Sequence, residues 1–326
     1  MLRFLKDWTL PLAMLTGILG YVVLADVAWL APVKPYAGVI ADYLPPWLIF
    51  AQLLLTFCKV ERLSELRPVV WHGWLLLFQL VMMLLVTAGL LCLPLSDAWR
   101  ITFEAVMVCL ICPTATAAAV ITGKLGGNAS TLTTYTLLSN MLAAIAVPLF
   151  FPLVEPHAGI SFGAACFRIL SKVFPLLILP FLLAWLFRYY WTALHRWLLR
   201  FHDAAFYLWA LSLTIVTGQT TRSLINSEIS IAEEIDIAIA ILLVCILQFW
   251  LGKCVGGHYA DRISGGQALG QKNTVLAIWM TYTYLNPVAS VGPGTYVLWQ
   301  NLFNSWQLWK RRNQQCRKRK DPVGQT

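Results

Sequence analysis

Charged residues are scarce in this chain. They make up 12% of the sequence, against 59% for hydrophobic residues, whereas a soluble domain is about a quarter charged. So few charges cannot cover a water-facing surface on a chain of 326 residues. The composition therefore excludes an ordinary soluble protein and indicates one that lies mostly within a lipid bilayer.

The sequence also lacks the residue groups that carry enzyme or metal chemistry. It has only 5 histidines, and its apolar runs contain no His-rich metal set, no nucleophile beside a base and no paired acids. Cys109 and Cys112 have the C-x-x-C spacing of metal and redox sites. Both lie in an apolar helix without a second pair nearby, which favours buried free thiols. We therefore expect no metal, no cofactor and no enzyme activity.

The net charge of +9 is concentrated in a basic C-terminal tail, residues 310–326. Its bases are Lys310, Arg311, Arg312, Arg317, Lys318, Arg319 and Lys320. Bases beside an apolar helix are typical of a cytoplasmic retention signal and can contact anionic lipid headgroups. Because no nucleic-acid-binding module accompanies them, we expect the tail to meet the bilayer and not nucleic acid.

Long apolar runs fill the rest of the chain. They fall near residues 8–28, 40–58, 71–94, 101–123, 130–154, 163–188, 203–222, 230–255, 265–285 and 291–309. Each run is long enough to cross a membrane as a helix of about 20 residues. The runs predict an all-α membrane protein with ten transmembrane helices.

Lysine and arginine are distributed unevenly between the two sides that ten spans create. The side with both termini holds Arg3, Lys6, Lys59, Arg62, Arg67, Lys124, Arg188, Arg196, Arg200, Lys253, Arg262 and the tail bases. The other side holds Lys34, Arg100, Arg168, Lys172 and Arg222. Because cytoplasmic loops are enriched in these residues, we expect both termini in the cytoplasm and a plasma membrane of the bacterial inner-membrane type.

Two spans are interrupted at matching positions. The fourth contains Cys112-Pro113-Thr114-Ala115-Thr116, and the ninth is interrupted around residues 265–274. The fourth and ninth spans correspond when five helices repeat, and a five-helix repeat must be inverted. Such paired breaks point to a transporter site. We expect repeats over residues 1–155 and 156–309, followed by the tail.

Each break frees backbone groups. Pro113 removes a backbone donor, and Thr114 or Thr116 can cap the half-helix that follows. In the ninth span, Gly270 permits unusual backbone angles and Asn273 supplies a donor and an acceptor. Because a helix N-terminus carries partial positive charge, these ends suit an anionic substrate group.

Lys272 is the most informative single residue. It lies roughly 12 Å into the ninth run at 1.5 Å per residue, where a lysine costs about 2.5–3.5 kcal/mol. An intramembrane lysine is a functional candidate by default. The alternative is a lysine that reaches cytoplasmic water along a cavity wall and has no transport role. Gln79 and Thr136 are weaker candidates, because buried polar side chains also serve as helix contacts.

The chain resembles the bile acid:sodium symporter family. The matching motifs are Pro46-Trp47-Leu48, Gln79-Leu80, Cys112-Pro113 with Thr116-Ala117, Gly127-Asn128, and Gly270-x-x-Asn273-x-x-Leu276-Ala277. The resemblance covers nearly the whole chain. It implies two inverted five-helix repeats, with a panel domain and a core domain in which the fourth and ninth helices cross. It also implies organic-anion transport by alternating access.

The chain departs from sodium-coupled relatives at the residues that hold sodium. Their Ser-Asn pair after the fourth-helix break is Ala118-Ala119 here. Their Glu-x-Gly-x-Gln-Asn motif reads Ala268-Leu269-Gly270-Gln271-Lys272-Asn273. A family serine in the fifth helix is Leu132, whereas Thr136 and Gln79 are kept. Hard cations need several oxygen ligands, so a bound sodium is not expected.

These departures lead to a hypothesis in which the Lys272 ammonium replaces a bound sodium. Gln79, Thr136 and the broken-helix carbonyls would solvate it. Two versions stay open: protonation of Lys272 couples transport to protons, or the ammonium binds the substrate anion directly.

We accordingly expect a sodium-independent secondary transporter of a small organic anion, such as a bile acid, a steroid conjugate or a small carboxylate. The predicted substrate-binding residues are Thr114, Thr116, Gln271, Lys272 and Asn273. The alternative from another class is a membrane sensor that keeps the fold and has lost turnover.

Overall fold

Helices make up all the regular structure in the described part of the chain. The computed structural model describes residues 9–60, 66–156, 159–201, 204–226 and 229–320. Its α-helices are α1 (Thr9–Asp26), α2 (Lys34–Phe57), α3 (Val70–Cys92), α4 (Asp97–Ile111), α5 (Ala118–Leu125), α6 (Ala129–Val154), α7 (Phe162–Tyr190), α8 (Thr192–Leu199), α9 (Ala204–Ile225), α10 (Ile231–His258), α11 (Arg262–Gly270), α12 (Thr274–Tyr284) and α13 (Val291–Lys320). Short 3-10 helices, Ala28–Val33 and Pro287–Ser290, precede α2 and α13. The predicted all-α class is confirmed.

Five helical segments of the described chain are long and apolar enough to cross a membrane, judged by length and composition. They are Ala28–Phe57, which includes α2, and the helices α3, α6, α7 and α10. The fourth and ninth predicted runs each contain two shorter helices, because a break divides each run. The chain is a multi-pass membrane protein, and its arrangement as ten spans stays a prediction. The bases Arg3, Lys6 and Arg62 lie outside the described residues.

Large apolar side chains cover the outside of the bundle as well as its centre. Phe167 is 71% exposed, Leu243 is 61% exposed and Leu85 is 60% exposed. In water such a surface would drive association, so it fits contact with lipid. Inside, Leu53, Leu110 and other fully buried residues join the helices around the two breaks.

The helices α10 and α11 approach each other at backbone distance. A Cβ added to Gly252 would lie 2.3 Å from the carbonyl oxygen of Gly265, and one added to Gly265 would lie 2.4 Å from that of Gly252. Small residues allow such close packing of helices in lipid. The contact fixes α11, and with it the end of α11 at the ninth-span break, against α10.

Gly270 has a role other than the predicted one. Among the described glycines, positive φ angles occur at Gly126 and Gly159, so the prediction that Gly270 supplies an unusual backbone angle is wrong. A Cβ at this position would lie 2.4 Å from the ring of Phe249. Gly270 therefore provides space, because α11 continues as a helix to that residue and the break is confined to residues 271–273.

We expect Gly265→Ala to lower the free energy of unfolding by about 1–3 kcal/mol, the usual cost of overpacking. The added methyl group meets a backbone carbonyl that cannot rotate away. The matched control is Gly73→Ala in α3, where an added Cβ finds nothing within 4 Å. Thermal unfolding of both purified variants in detergent tests this expectation, and equal melting temperatures would contradict it.

Candidate functional site

The two breaks meet at the centre of the bundle. The residues between α4 and α5 pair with those between α11 and α12 as an isolated antiparallel bridge at Thr114 and Lys272. Two backbone hydrogen bonds flank the bridge, from Asn273 N–H to Pro113 O (2.9 Å) and from Ala115 N–H to Gln271 O (2.9 Å). We call this region the crossing, residues 112–116 together with 271–273. The predicted interruptions are therefore present and in direct contact.

Lys272 is buried within the crossing, with 1% of its surface exposed. Its Nζ donates to the carbonyl oxygen of Leu110 at 2.9 Å, in the last turn of α4. Its backbone N–H donates to Oε1 of Gln300 at 2.9 Å, a residue of α13. Because a helix C-terminus carries partial negative charge, α4 offers the ammonium both an acceptor and a favourable field.

Gln79 reaches the same acceptor from α3. Its Nε2 donates to the Leu110 carbonyl at 2.9 Å, and its Oε1 accepts from the Tyr135 hydroxyl at 2.8 Å. Lys272 and Gln79 thus converge on one carbonyl oxygen. Gln79 holds the acceptor in place, and Tyr135 in turn holds Gln79.

Other carbonyls near the breaks also receive side-chain donors. The hydroxyl of Thr114 donates to Ala268 O (2.7 Å), that of Tyr296 to Gly270 O (2.9 Å), and Nε2 of Gln248 to Cys109 O (3.2 Å). A buried carbonyl without a partner costs about 1–3 kcal/mol. These donors therefore make interrupted helices tolerable at membrane depth.

The predicted cap of α5 is absent, whereas α12 has a side-chain cap on the other side of the crossing. Asn273 caps α12, since its Oδ1 accepts from Leu276 N–H at 3.3 Å. The helix α5 begins after Ala117, which forms no side-chain cap. Thr114 cannot cap α5 because its extended backbone directs the hydroxyl to α11. Thr116 is half-buried beside the break and does not cap α5 either.

The structure does not place Thr136 on the ammonium. Its hydroxyl donates to Leu132 O within α6 at 3.0 Å. Ser139, three residues further along α6, reaches the crossing instead and accepts from Thr114 N–H at 3.1 Å. Gln271 is buried there, and its Oε1 has no hydrogen-bond partner within the described ranges. Gln271 therefore keeps a free acceptor in the crossing.

Sequence reasoning did not single out Tyr135, Gln248, Tyr296 or Gln300 as site residues. All four are buried and contact the crossing or its supporting side chains. The available signal was a polar group deep in an apolar run, which is also the signal of an ordinary helix contact. The thiols of Cys109 and Cys112 are free and buried, as predicted.

A multi-pass helical protein with two interrupted segments crossing at its centre has the architecture of membrane transporters with discontinuous helices. The chain belongs to the SBF-like CPA transporter family, whose model matches residues 14–309. The match includes both breaks and confirms the resemblance to the bile acid:sodium symporters. A search of the curated proteins finds no match.

We expect Thr114→Val to lower the free energy of unfolding by about 1–3 kcal/mol. The substitution keeps the shape and removes the donor to the Ala268 carbonyl. The backbone N–H of Lys272, four residues after Ala268, cannot replace that donor because it donates to Gln300.

The matched control is Thr281→Val in α12. Its hydroxyl is equally buried and donates within its own helix, to Ala277 O at 2.7 Å. Because such back-bonding adds little to a helix, the control should unfold close to the wild type. Equilibrium unfolding in detergent compares the two variants, and similar losses would refute a special role for Thr114.

Proposed function

We propose that the protein is a secondary transporter that moves a small organic anion across the membrane by alternating access and without sodium. Membership of the transporter family supports transport and does not favour a sensor or an enzyme. The observation that carries sodium independence is the buried Lys272 Nζ, 2.9 Å from the Leu110 carbonyl at the end of α4.

An ammonium in this position performs the electrostatic role of a bound cation. Sodium would need several oxygen ligands and a counter-charge, as other hard cations do. The family resemblance matches Ala118, Ala119 and Ala268 to positions where sodium-coupled relatives carry oxygen ligands, and the methyl groups of these alanines supply none. The α4 terminus still attracts positive charge, and Lys272 supplies that charge from the protein itself. The conformational cycle then needs no sodium ion from solution.

The same region favours a negatively charged substrate group. The N-terminus of α12 carries partial positive charge. Two of its N–H groups are bonded within the chain, that of Thr274 to Lys272 O and that of Leu276 to Oδ1 of the Asn273 cap, so the helix favours an anion through its field. Lys272 adds a full positive charge one residue before that cap. A carboxylate or sulfonate on a bile acid, a steroid conjugate or a small organic acid has the matching chemistry.

We extend the proposal to the membrane arrangement: ten spans in two inverted five-helix repeats, residues 1–155 and 156–309, with cytoplasmic termini in a bacterial type of inner membrane. The matched breaks and the lysine and arginine asymmetry support this arrangement. The last helix, α13, has 30 residues and is therefore about 45 Å long, more than the roughly 30 Å apolar layer.

The basic end of α13 accordingly projects beyond the lipid tails, where anionic headgroups lie. One of its bases contacts the protein as well, since Arg311 lies against Gly126 at the end of α5. The other bases of the tail are therefore the ones proposed to contact anionic lipid headgroups.

Proteoliposomes containing the full chain should take up a labelled organic anion without sodium. Suitable probes are a bile acid, a steroid sulfate and a dicarboxylate. We expect Lys272→Gln to reduce the initial rate at least about tenfold, the effect of losing one charge-assisted hydrogen bond. The control Lys124→Gln, which removes an exposed base, should transport normally. A wild-type rate that requires a sodium gradient would overturn the proposal.

Lys272→Arg separates the two roles of the ammonium. Arginine keeps the positive charge and does not release its proton. If coupling depends on deprotonation of Lys272, this variant loses the pH dependence of uptake that the wild type shows. If the charge only attracts the substrate, the variant keeps the wild-type pH profile. Uptake measured at several pH values distinguishes the two results.

A further inference from the structure

A second cationic site lies outside the crossing, where the first half of α7 meets the end of α12. A cavity of about 60 Å³ there is lined by Arg168 and Lys172 of α7 and by Thr283 and Tyr284 of α12, among others. This volume is well above the roughly 10–15 Å³ that one water needs. We call it the α7–α12 groove.

The two bases of the groove have no acidic partner among the residues that the structure describes. Arg168 and Lys172 are four residues apart, so they share one face of α7 and repel each other. Within the ranges that the structure describes, both ion pairs belong to Arg100, and neither groove base is paired with a carboxylate. Two unneutralised cations on one wall favour an anion between them.

Tyr284 adds an unused hydrogen-bonding group to the same cavity. Its side chain is 6% exposed, and its hydroxyl has no hydrogen-bond partner in the described part of the chain. Buried tyrosine hydroxyls usually have a partner. A free donor beside two cations is the arrangement that binds an oxyanion, because each of the three groups can donate to a different oxygen.

The end of α12 does not account for the two bases. A helix C-terminus carries about half a negative charge, whereas Arg168 and Lys172 together carry two positive charges. The partial negative charge of the α12 terminus therefore offsets only part of the charge of the two bases, and the groove keeps a net positive charge.

We propose that the α7–α12 groove binds the carboxylate, sulfate or phosphate group of an anion, separately from the crossing. A soluble organic acid and an anionic lipid headgroup present the same chemistry to these three side chains. This site goes beyond the proposed transport function, because binding here needs neither turnover nor Lys272.

The first test uses the purified full chain in a neutral detergent and inorganic sulfate as the probe. Sulfate should raise the melting temperature in a saturable way, relative to chloride at equal ionic strength. The double variant Arg168→Gln/Lys172→Gln should weaken the apparent sulfate affinity at least about tenfold, and Tyr284→Phe about threefold or more. Arg200→Gln, which removes an exposed base elsewhere, should bind sulfate normally.

The second test identifies the source of the anion. Native mass spectrometry of protein from phosphatidylglycerol nanodiscs, compared with phosphatidylcholine nanodiscs, reports retained lipid. Loss of retained phosphatidylglycerol in the double variant supports a headgroup as the ligand. Sulfate binding without lipid retention supports a soluble anion.

Two results would overturn the proposal. One is unchanged sulfate affinity and lipid retention in both the double variant and Tyr284→Phe. The other is loss of the sulfate response in Lys272→Gln, which would assign that response to the crossing. Because these binding tests involve no transport, their failure is distinguishable from failure of the proposed function.

Discussion

Residues 112–114 and 271–273 at the two breaks are buried, so their backbone groups need partners within the protein, and the centre of the structure is organised around that constraint. Leu110 O receives Lys272 and Gln79, and Ala268 O receives Thr114. The breaks also satisfy each other through the backbone bonds of the crossing. Since one unsatisfied group costs about 1–3 kcal/mol, the two breaks and their polar side chains form an interdependent unit.

Lys272 belongs to this unit both structurally and electrostatically. Insertion of a lysine at the helix centre costs about 2.5–3.5 kcal/mol. A hydrogen bond from a charged donor returns about 1.5–3 kcal/mol, and a favourable helix terminus returns up to about 2 kcal/mol. The opposing magnitudes are similar, so the geometry can hold an ammonium at this depth. The ammonium bonds to α4, and the backbone N–H of the same residue donates to Gln300, so Lys272 links α4, the second break and α13.

The two proposed anion-binding regions differ in how the protein provides positive charge. At the crossing, one fully buried lysine donates to a single backbone carbonyl and precedes the start of α12. In the α7–α12 groove, two exposed bases stand beside one buried hydroxyl. The first arrangement couples charge to the packing of broken helices. The second leaves its charges free to bind and release an ion without altering the core.

The helical membrane class and the two breaks were predictable from the sequence alone and are present in the structure, whereas a functional role of Lys272 stays a prediction. The length of an apolar run, a proline within it and a charge at membrane depth can all be recognised in the local sequence. The proline and the charge each cost substantial free energy within a membrane helix. The folded arrangement of the helices establishes that Thr114 bonds to α11, that Ser139 and not Thr136 reaches the crossing, and that Gly270 makes room for Phe249. These outcomes depend on which atoms of another helix lie within about 3 Å. Such a distance between two helices cannot be derived from residue type and spacing along one helix.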